Sequence, residues 1–177
     1  QESVEFSAGL LFRCVNEPLL TIGVEICEDL WVADPPSTRL AQGGATLLLN
    51  PSASDETVCK DAYRRTLLEA TSGRLVCGYV YADAGWGESS TDLIYAGHSL
   101  IAENGTILAE RRFATGLTIT EIDLQKLAHE RQRMTTYPAD APDLYPNYFE
   151  LERTETRLTR PIAPNPFVPA DHGDRAA

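Results

Sequence analysis

A short apolar run that ends at a cysteine constrains the fold of this chain more than any other feature. The run covers residues 21–31 and reads Thr-Ile-Gly-Val-Glu-Ile-Cys-Glu-Asp-Leu-Trp. Its β-branched and apolar residues predict a buried strand, and the Pro35-Pro36-Ser37 turn that follows predicts the start of a helix. Cys27 is therefore expected where a strand turns toward a helix, which is how many folds present a nucleophile to a pocket.

Length and composition fit one soluble globular domain. The chain has 177 residues, of which 43% are hydrophobic and 23% charged, and this is enough to bury a core. No apolar run reaches the roughly 18 residues that a membrane-spanning helix needs, and no signal peptide is visible. The net charge of −11 would repel phosphate backbones. We therefore expect neither nucleic acid nor a membrane as a partner.

The four cysteines indicate a reducing compartment. Cys14, Cys27, Cys59 and Cys77 form no CxxC pair and no zinc-like cluster with histidine. Without an export signal, free thiols in the cytoplasm are the expected state. The apolar surroundings of Cys14, Cys59 and Cys77 predict small buried side chains. The missing initiator Met and a first strand that begins mid-fold indicate a fragment of a longer protein.

Alternating strands and helices predict an α/β fold in which helices cover a mixed sheet. Strands are predicted at residues 9–15, 19–26, 45–49, 75–82, 95–102, 106–112 and 117–122. Helices are predicted from Pro35 to Gly43, from Cys59 to Gly73, and over residues 124–135. The apolar face of the long helix is assigned to Cys59, Ala62, Tyr63, Thr66, Leu67 and Ala70. Asn104-Gly105 predicts a tight hairpin turn.

The composition changes at Tyr137, after which seven of the 11 prolines occur. We therefore expect a packed domain over residues 1–136 and an extended Pro-rich arm over residues 137–177. Catalytic loops of α/β folds cluster at the carboxyl ends of strands. Cys27, the polar loop at 50–54 and the polar loop at 82–92 are all expected there.

Several motifs, taken in their order along the chain, resemble the nitrilase-type amidase domain of glutamine-dependent NAD synthetases. They are Gly-Val-Glu-Ile-Cys-Glu-Asp-Leu-Trp at 23–31, Asn-Pro-Ser-Ala-Ser at 50–54, Tyr-Arg-Arg at 63–65, Gly-Glu-Ser-Ser-Thr-Asp at 87–92, Gly-His-Ser-Leu-Ile-Ala-Glu-Asn-Gly at 97–105 and Asn-Pro-Phe-Val-Pro at 165–169. The resemblance covers nearly the whole chain. It implies a nitrilase-like αββα sandwich, N-terminally truncated here, and a linker that leads into an absent synthetase domain.

This resemblance implies a carbon–nitrogen hydrolase with a Glu-Lys-Cys catalytic set. The cysteine attacks the side-chain amide of glutamine, the glutamate moves the proton, and the lysine stabilises thiolate and oxyanion. Water then cleaves the thioester, and the ammonia serves ATP-dependent amidation of nicotinic acid adenine dinucleotide to NAD. We expect no cofactor in this chain, since it has no Walker-type loop and no Ser-Gly-Gly-x-Asp-Ser loop. ATP and magnesium belong to the synthetase domain.

Three positions carry over from the family pattern. Cys27 matches the nucleophile, whereas Glu28 and Ser54 match positions that hold the polar end of glutamine. The N–H that follows Cys27 is the expected oxyanion donor. The family's Glu and Lys precede the cysteine, but the 26 residues before Cys27 contain no lysine. Glu25 is expected to face a wet cleft without matching the general base, so we expect this chain alone to be inactive.

Simpler explanations stay open for the same residues. Cys27 can be a buried structural cysteine, and Ser54 can cap the long helix. The charged residues assigned to solvated surfaces in this alternative are Glu28, Lys60, Arg64 and Arg65. Two other functions also stay open. One is a stand-alone amidase that acts on another small amide. The other is a non-catalytic assembly module. Both this module and the leading function predict a homo-oligomer in which exposed sheet surface is covered.

Overall fold

The computed structural model describes residues 3, 6–138, 144–152 and 157–162. Its strands are β1 (Leu10–Cys14), β2 (Thr21–Val24), β3 (Leu47–Ser52), β4 (Gly78–Asp83), β5 (Ser99–Glu103), β6 (Thr106–Arg111) and β7 (Tyr145–Phe149). Its helices are α1 (Pro36–Gln42), α2 (Lys60–Leu75) and α3 (Leu124–Arg133), with short 3-10 turns at Cys27–Leu30 and Trp86–Glu88. The seven strands form one sheet in the order β6-β5-β4-β3-β2-β1-β7.

Strand directions in this sheet place several strand ends together. Strands β1 and β2 form an antiparallel hairpin, whereas β2, β3 and β4 are parallel to one another. Parallel neighbours need crossover connections, and α1 and α2 supply them. The α/β class predicted from sequence is therefore confirmed. The carboxyl ends of β2, β3 and β4 meet at one edge, which is where α/β folds build their sites.

One face of the sheet is closed by α1 and α2. The core on this face comprises Leu11, Leu48, Tyr79, Tyr81, Leu100 and Ala102 from strands, together with Leu40, Ala41, Leu68 and Leu75 from helices. Helix α1 lies directly on β2 because Gly23 has no side chain. A Cβ atom there would come within 3.0 Å of the Leu40 Cβ atom. We call this the closed face.

The opposite face carries apolar side chains that are only half-buried: Phe12, Ile22, Val24, Leu47, Leu49 and Val80. Strand register puts them in rows, with Ile22 beside Leu47 and Leu49 beside Val80. The segment before α3 covers one end, because Ile122 packs where a Gly78 side chain would lie. We call this the open face. The described residues form no second sheet over it, so they make a partial version of the αββα sandwich.

Several element predictions are confirmed and one is wrong. The hairpin of β5 and β6 turns at Asn104 and Gly105, whose φ angles are 45° and 85°. No strand forms at 117–122, where Leu117 and Ile119 are 80% and 78% exposed. Alternating apolar residues define a strand only when a neighbouring strand supplies hydrogen bonds, and this segment has no such partner among the described residues.

The predicted buried face of α2 is also wrong. The helix buries Arg64, Leu68, Thr71, Ser72 and Leu75. Most of the face assigned from apolar spacing is exposed, including Ala62, Tyr63, Thr66 and Ala70. Counting apolar residues missed the true face because three of its five members, Arg64, Thr71 and Ser72, are polar.

Cysteine burial follows the prediction in two cases out of three. Cys14 and Cys77 are buried, whereas Cys59 is exposed. Cys59 precedes the first residue of α2 and has a φ of 67°, which places it outside the packed part of the helix. Burial raises the pKa of the Cys77 thiol to about 12.

Part of the predicted arm lies on the sheet. Strand β7 pairs in parallel with β1, with Leu10 opposite Tyr145 and Cys14 opposite Phe149, so this stretch is a strand rather than an unpacked arm. Pro146 is tolerated because β7 is an edge strand. The motif at 165–169 lies outside the described residues, and the division at residue 137 stays a prediction. No helix in the described ranges is long and apolar enough to cross a bilayer.

Candidate active site

Cys27 occupies a strained elbow at the carboxyl edge of the sheet. It follows β2 by three residues and begins the 3-10 turn Cys27–Leu30. Its φ angle is 50°, a left-handed conformation that is uncommon for residues other than glycine. The side chain is neither sealed in the core nor fully exposed. The elbow predicted from sequence is therefore present.

Asn50 holds both backbone groups of Cys27. The Cys27 N–H donates to Asn50 Oδ1 at 2.9 Å, and Asn50 Nδ2 donates to the Cys27 carbonyl at 3.4 Å. Asn50 Nδ2 also donates to the Tyr79 hydroxyl at 3.2 Å. Asn50 is 1% exposed and lies within β3, which continues to Ser52. The prediction of a polar loop over residues 50–54 is therefore wrong for residues 50–52.

Glu25 lies behind the elbow and is buried, which corrects the expectation that it faces a wet cleft. Its side chain is 1% exposed. One carboxylate oxygen accepts from the Tyr79 hydroxyl, and the other accepts from the Ser37 N–H at 2.8 Å. Burial, reinforced by the nearby Glu25 carboxylate, raises the pKa of Tyr79 well above its ordinary value. Tyr79 therefore stays a proton donor at neutral pH.

The two predicted substrate-binding residues lie in different environments. Glu28 is exposed on the 3-10 turn, and the turn is tied by Asp29 Oδ2, which accepts from the Ile26 N–H at 2.7 Å. Ser54 is buried after β3, where its N–H donates to Asp83 Oδ1 at 2.8 Å. Ser54 does not cap α2, because Cys59 occupies that position.

A buried charged cluster surrounds Ser54 and corrects the interpretation of Arg64 as a surface charge. The Arg64 side chain is fully buried, and its Nη1 donates to Glu56 Oε2 at 3.0 Å and to His98 Nδ1 at 2.9 Å. Its Nη2 donates to Ser54 Oγ at 3.3 Å and lies 4.0 Å from Asp83 Oδ2. These contacts join the loop after β3 to β4 and to the start of β5.

Proton positions in this cluster follow from its donors. Arginine can only donate, so His98 Nδ1 accepts from Arg64, and His98 Nε2 donates to Glu110 Oε1 at 2.8 Å. Burial raises the pKa of Asp83 against the opposing pull of the Ser54 N–H and Arg64. His98 and Asp83 are thus structural partners of Arg64. Within the described ranges, no group of three or more His, Cys, Asp or Glu residues is arranged to hold a metal ion.

Two other cations that the sequence assigned to the surface, Lys60 and Arg65, lie near this cluster. Lys60 Nζ lies 2.6 Å from Asp55 Oδ1 and 5.5 Å from the ring centroid of Trp31, which belongs to the elbow segment. Lys60 is therefore paired and half-buried rather than a freely solvated charge. Arg65, one residue after the buried Arg64, is on the outer side of α2 beside Glu69 and Glu110, as its surface assignment predicts.

Comparisons with known proteins agree on the relationship. The family model described as carbon-nitrogen hydrolase matches residues 1–132. The glutamine-dependent NAD(+) synthetase of Mycobacterium tuberculosis is 39% identical over 95% of this chain, which is 26% of that relative. The deaminated glutathione amidase of Mus musculus is 34% identical over 77% of this chain and 42% of that relative. This chain therefore spans about a quarter of the NAD synthetases and less than half of the amidases.

A solved structure supports the fold. The glutamine-dependent NAD+ synthetase from Acinetobacter baumannii, determined with ADP, matches with a TM-score of 0.59 and 26% identity. The match covers 72% of this chain and 23% of that chain. The arrangement of sheet and helices is thus similar to one part of that larger protein.

Proposed function

This chain belongs to the carbon–nitrogen hydrolase family, and we propose that it is the C-terminal part of a glutaminase domain with Cys27 as nucleophile. The observation that carries the proposal is the elbow itself. Cys27 lies at the carboxyl edge of parallel strands, in a left-handed conformation, with its side chain only half-buried. Enzymes use such turns to present a nucleophile.

The proposed reaction proceeds through a thioester. The Cys27 sulfur bonds to the side-chain amide carbon of glutamine, and the carbonyl oxygen becomes an oxyanion beside the Glu28 N–H. The carbon–nitrogen bond then breaks, and the nitrogen leaves as ammonia after receiving a proton. Water attacks the thioester and releases glutamate and the thiol. The ammonia would serve the ATP-dependent amidation of nicotinic acid adenine dinucleotide in a synthetase domain that uses ATP and magnesium.

We propose that the general base and the lysine of this reaction come from another part of the parent protein. Both carboxylate oxygens of Glu25 are engaged by Tyr79 and Ser37. Lys60 is paired with Asp55. Glu25 is therefore not available as the general base, and Lys60 is not available as the oxyanion partner. This supports the expectation that this chain alone is catalytically inactive.

Glu28 and Ser54 are proposed to bind the polar end of glutamine. The exposed Glu28 carboxylate can pair with the substrate ammonium group. Ser54 Oγ accepts from Arg64, and its hydroxyl, which lies beside Tyr81, would turn to donate its hydrogen to the substrate carboxylate. The apolar side chains of the open face are only half-buried, and we propose that they are buried by the rest of the sandwich or in a homo-oligomer. We also propose a cytoplasmic location for the protein.

Labelling with a diazo-ketone analogue of glutamine tests the nucleophile. We expect mass spectrometry to find the analogue on Cys27 of the 177-residue chain and to find none in Cys27→Ala. The exposed Cys59 is the control thiol in the same molecule. Equal labelling of Cys59, or label that persists in Cys27→Ala, would contradict the assignment.

An ammonia-release assay with glutamine tests the inactivity of the isolated chain. We expect no steady release, because the described residues supply neither the base nor the lysine. Steady release from the wild-type chain that is lost in Cys27→Ala would overturn this part of the proposal while supporting the nucleophile.

A second candidate is a stand-alone amidase acting on another small amide. The 34% identity to the deaminated glutathione amidase of Mus musculus over 77% of this chain favours it. Competition experiments separate the two candidates. Free glutamine should protect Cys27 from the diazo-ketone under the first proposal, whereas an amide without the α-ammonium group should protect it better under the second.

A further inference from the structure

The nucleophile elbow is held from behind by side chains that play no part in the reaction proposed above. Strand register explains how they reach it. Val24 of β2 lies beside Leu49 of β3, so Asn50 follows on β3 close to where the elbow begins. Its side chain spans the gap and meets the backbone of Cys27 on both sides, at the N–H and at the carbonyl.

An amide is the side chain suited to this task. It carries an acceptor and a donor at adjacent positions, so one residue can satisfy a backbone N–H and the carbonyl of the same neighbour. The elbow needs such support because a φ of 50° at Cys27 is strained for a residue with a Cβ atom. Without a partner, the part-buried peptide groups of Cys27 would also lose these hydrogen bonds.

The orientation of the Asn50 amide is itself determined. Nδ2 donates to the Tyr79 hydroxyl, Tyr79 donates to the Glu25 carboxylate, and Glu25 accepts from the Ser37 N–H at the start of α1. A flipped amide would place its oxygen against the Cys27 carbonyl and leave the N–H of Cys27 without an acceptor. The chain of bonds therefore fixes which end of Asn50 faces each group.

Burial makes this arrangement rigid. Asn50, Tyr79 and Glu25 are each at most 1% exposed, so water cannot replace a lost partner. The chain links the elbow to β3, β4 and α1, which are the elements of the closed face.

We propose that Asn50 is a positioning residue that holds Cys27 in its left-handed conformation, and that Tyr79 and Glu25 hold Asn50 in turn. This inference rests on the proposed role of Cys27, but it concerns the backbone geometry of the elbow and can be tested without any substrate. Loss of the clamp lets Cys27 relax to an ordinary negative φ, which turns its Cα–Cβ bond away from the edge of the sheet.

Two measurements on Asn50→Ala in the 177-residue chain test the clamp. Amide exchange followed by NMR should show the Cys27 N–H exchanging at least about tenfold faster, while the Cys14 N–H in the hairpin is unchanged. Alkylation by iodoacetamide, resolved by mass spectrometry, should fall at least about fivefold at Cys27 relative to the exposed Cys59. The buried Cys77 should stay unreactive, which a general loss of structure would not allow.

Tyr79→Phe provides a milder variant if Asn50→Ala does not fold. It removes the hydroxyl that Asn50 contacts, and we expect the same changes at Cys27 with smaller size. Tyr81→Phe is the matched control, because Tyr81 is an equally buried tyrosine two residues along β4 whose hydroxyl contacts Ser52 at 2.8 Å. It should leave the exchange of the Cys27 N–H unchanged.

Unchanged exchange and alkylation at Cys27 in both Asn50→Ala and Tyr79→Phe would overturn the inference. Equal gains in reactivity at Cys27 and Cys77 would overturn it too, since that result describes general unfolding. Neither measurement uses glutamine or its analogue. A chain that passes these tests but fails the diazo-ketone labelling would retain the clamp and lose the proposed function.

Discussion

The two faces of the sheet carry similar apolar residues, yet only one of them is sealed. Strand β3 shows this within three consecutive leucines. Leu48 points to the closed face and is fully buried, whereas Leu47 and Leu49 point to the open face and are half-buried. The residue type is the same at all three positions, so the difference comes from α1 and α2, which cover one side of the sheet.

The closed face also contains the polar groups that shape the candidate site. Glu25, Asn50, Tyr79 and Arg64 all lie in the layer between the sheet and the helices. Burial beneath the helices strengthens their hydrogen bonds and makes each unpaired group costly. We therefore expect substitutions on the closed face to lower the free energy of unfolding more than matched substitutions elsewhere.

Replacing Arg64 should have the largest effect. Arg64→Leu leaves Asp83 as a buried acid without its cation and leaves Glu56 with Arg112 alone. It should lower the free energy of unfolding by about 3–5 kcal/mol. Arg65→Leu, the adjacent arginine on the outer side of α2, should cost less than about 1 kcal/mol. Urea unfolding followed by circular dichroism measures both, and equal losses would refute the burial of Arg64.

The neighbouring leucines of β3 compare the faces directly. Leu48→Ala opens a cavity beneath α1 and α2 and should cost about 2–5 kcal/mol in the same measurement. Leu49→Ala removes the same atoms from the open face and should cost about 1 kcal/mol. If Leu49→Ala costs as much as Leu48→Ala, the open face is covered in solution, and native mass measurement would show whether a second copy covers it.

Alkaline pH should lower the free energy of unfolding gradually, by a small amount for each pH unit above 9. Burial raises the pKa of Cys77 from 9.0 to about 12. Above pH 9 the unfolded chain loses this proton while the folded chain keeps it, so the free energy of unfolding falls by about 1.4 kcal/mol per pH unit until about pH 12. The pKa values of Tyr79 and Tyr81 are also raised, in both cases first by burial. They add to this loss of stability at pH values above the ordinary pKa of tyrosine.

Thermal unfolding across pH 8 to 11 checks this expectation. Cys77→Ala should reduce the slope of the melting temperature against pH above pH 9, whereas Cys59→Ala should leave it unchanged because that thiol is exposed. An identical slope in wild type and Cys77→Ala would show that Cys77 ionises in the folded protein.

Local patterns predicted much of the fold. Turn residues and periodicity predicted the strands β1 and β2, the helix that begins near Pro36 and the turn at Asn104. The failures share one cause. A strand at 117–122 and an apolar face on α2 both depend on what lies opposite, and a single segment contains no information about its neighbours.

The candidate site was predicted only in part for the same reason. Cys27 stands out because it ends an apolar run between two acids. Asn50 and Tyr79 lie 23 and 52 residues further along the chain, and Glu25 was assigned to a cleft. The only local signal for Asn50 was a polar amide at the end of a buried strand, which does not reveal its partner.

The sequence by itself determined the α/β class, the order of most elements, the family resemblance and the place of Cys27 at the end of a strand. These follow from residues that are close together along the chain, whose conformational preferences act locally. Only the tertiary structure decided which face is sealed, that Arg64 is buried, and that Asn50 and Tyr79 support the elbow. Those outcomes depend on contacts between distant segments, because burial and hydrogen-bond partners are set once the sheet is assembled.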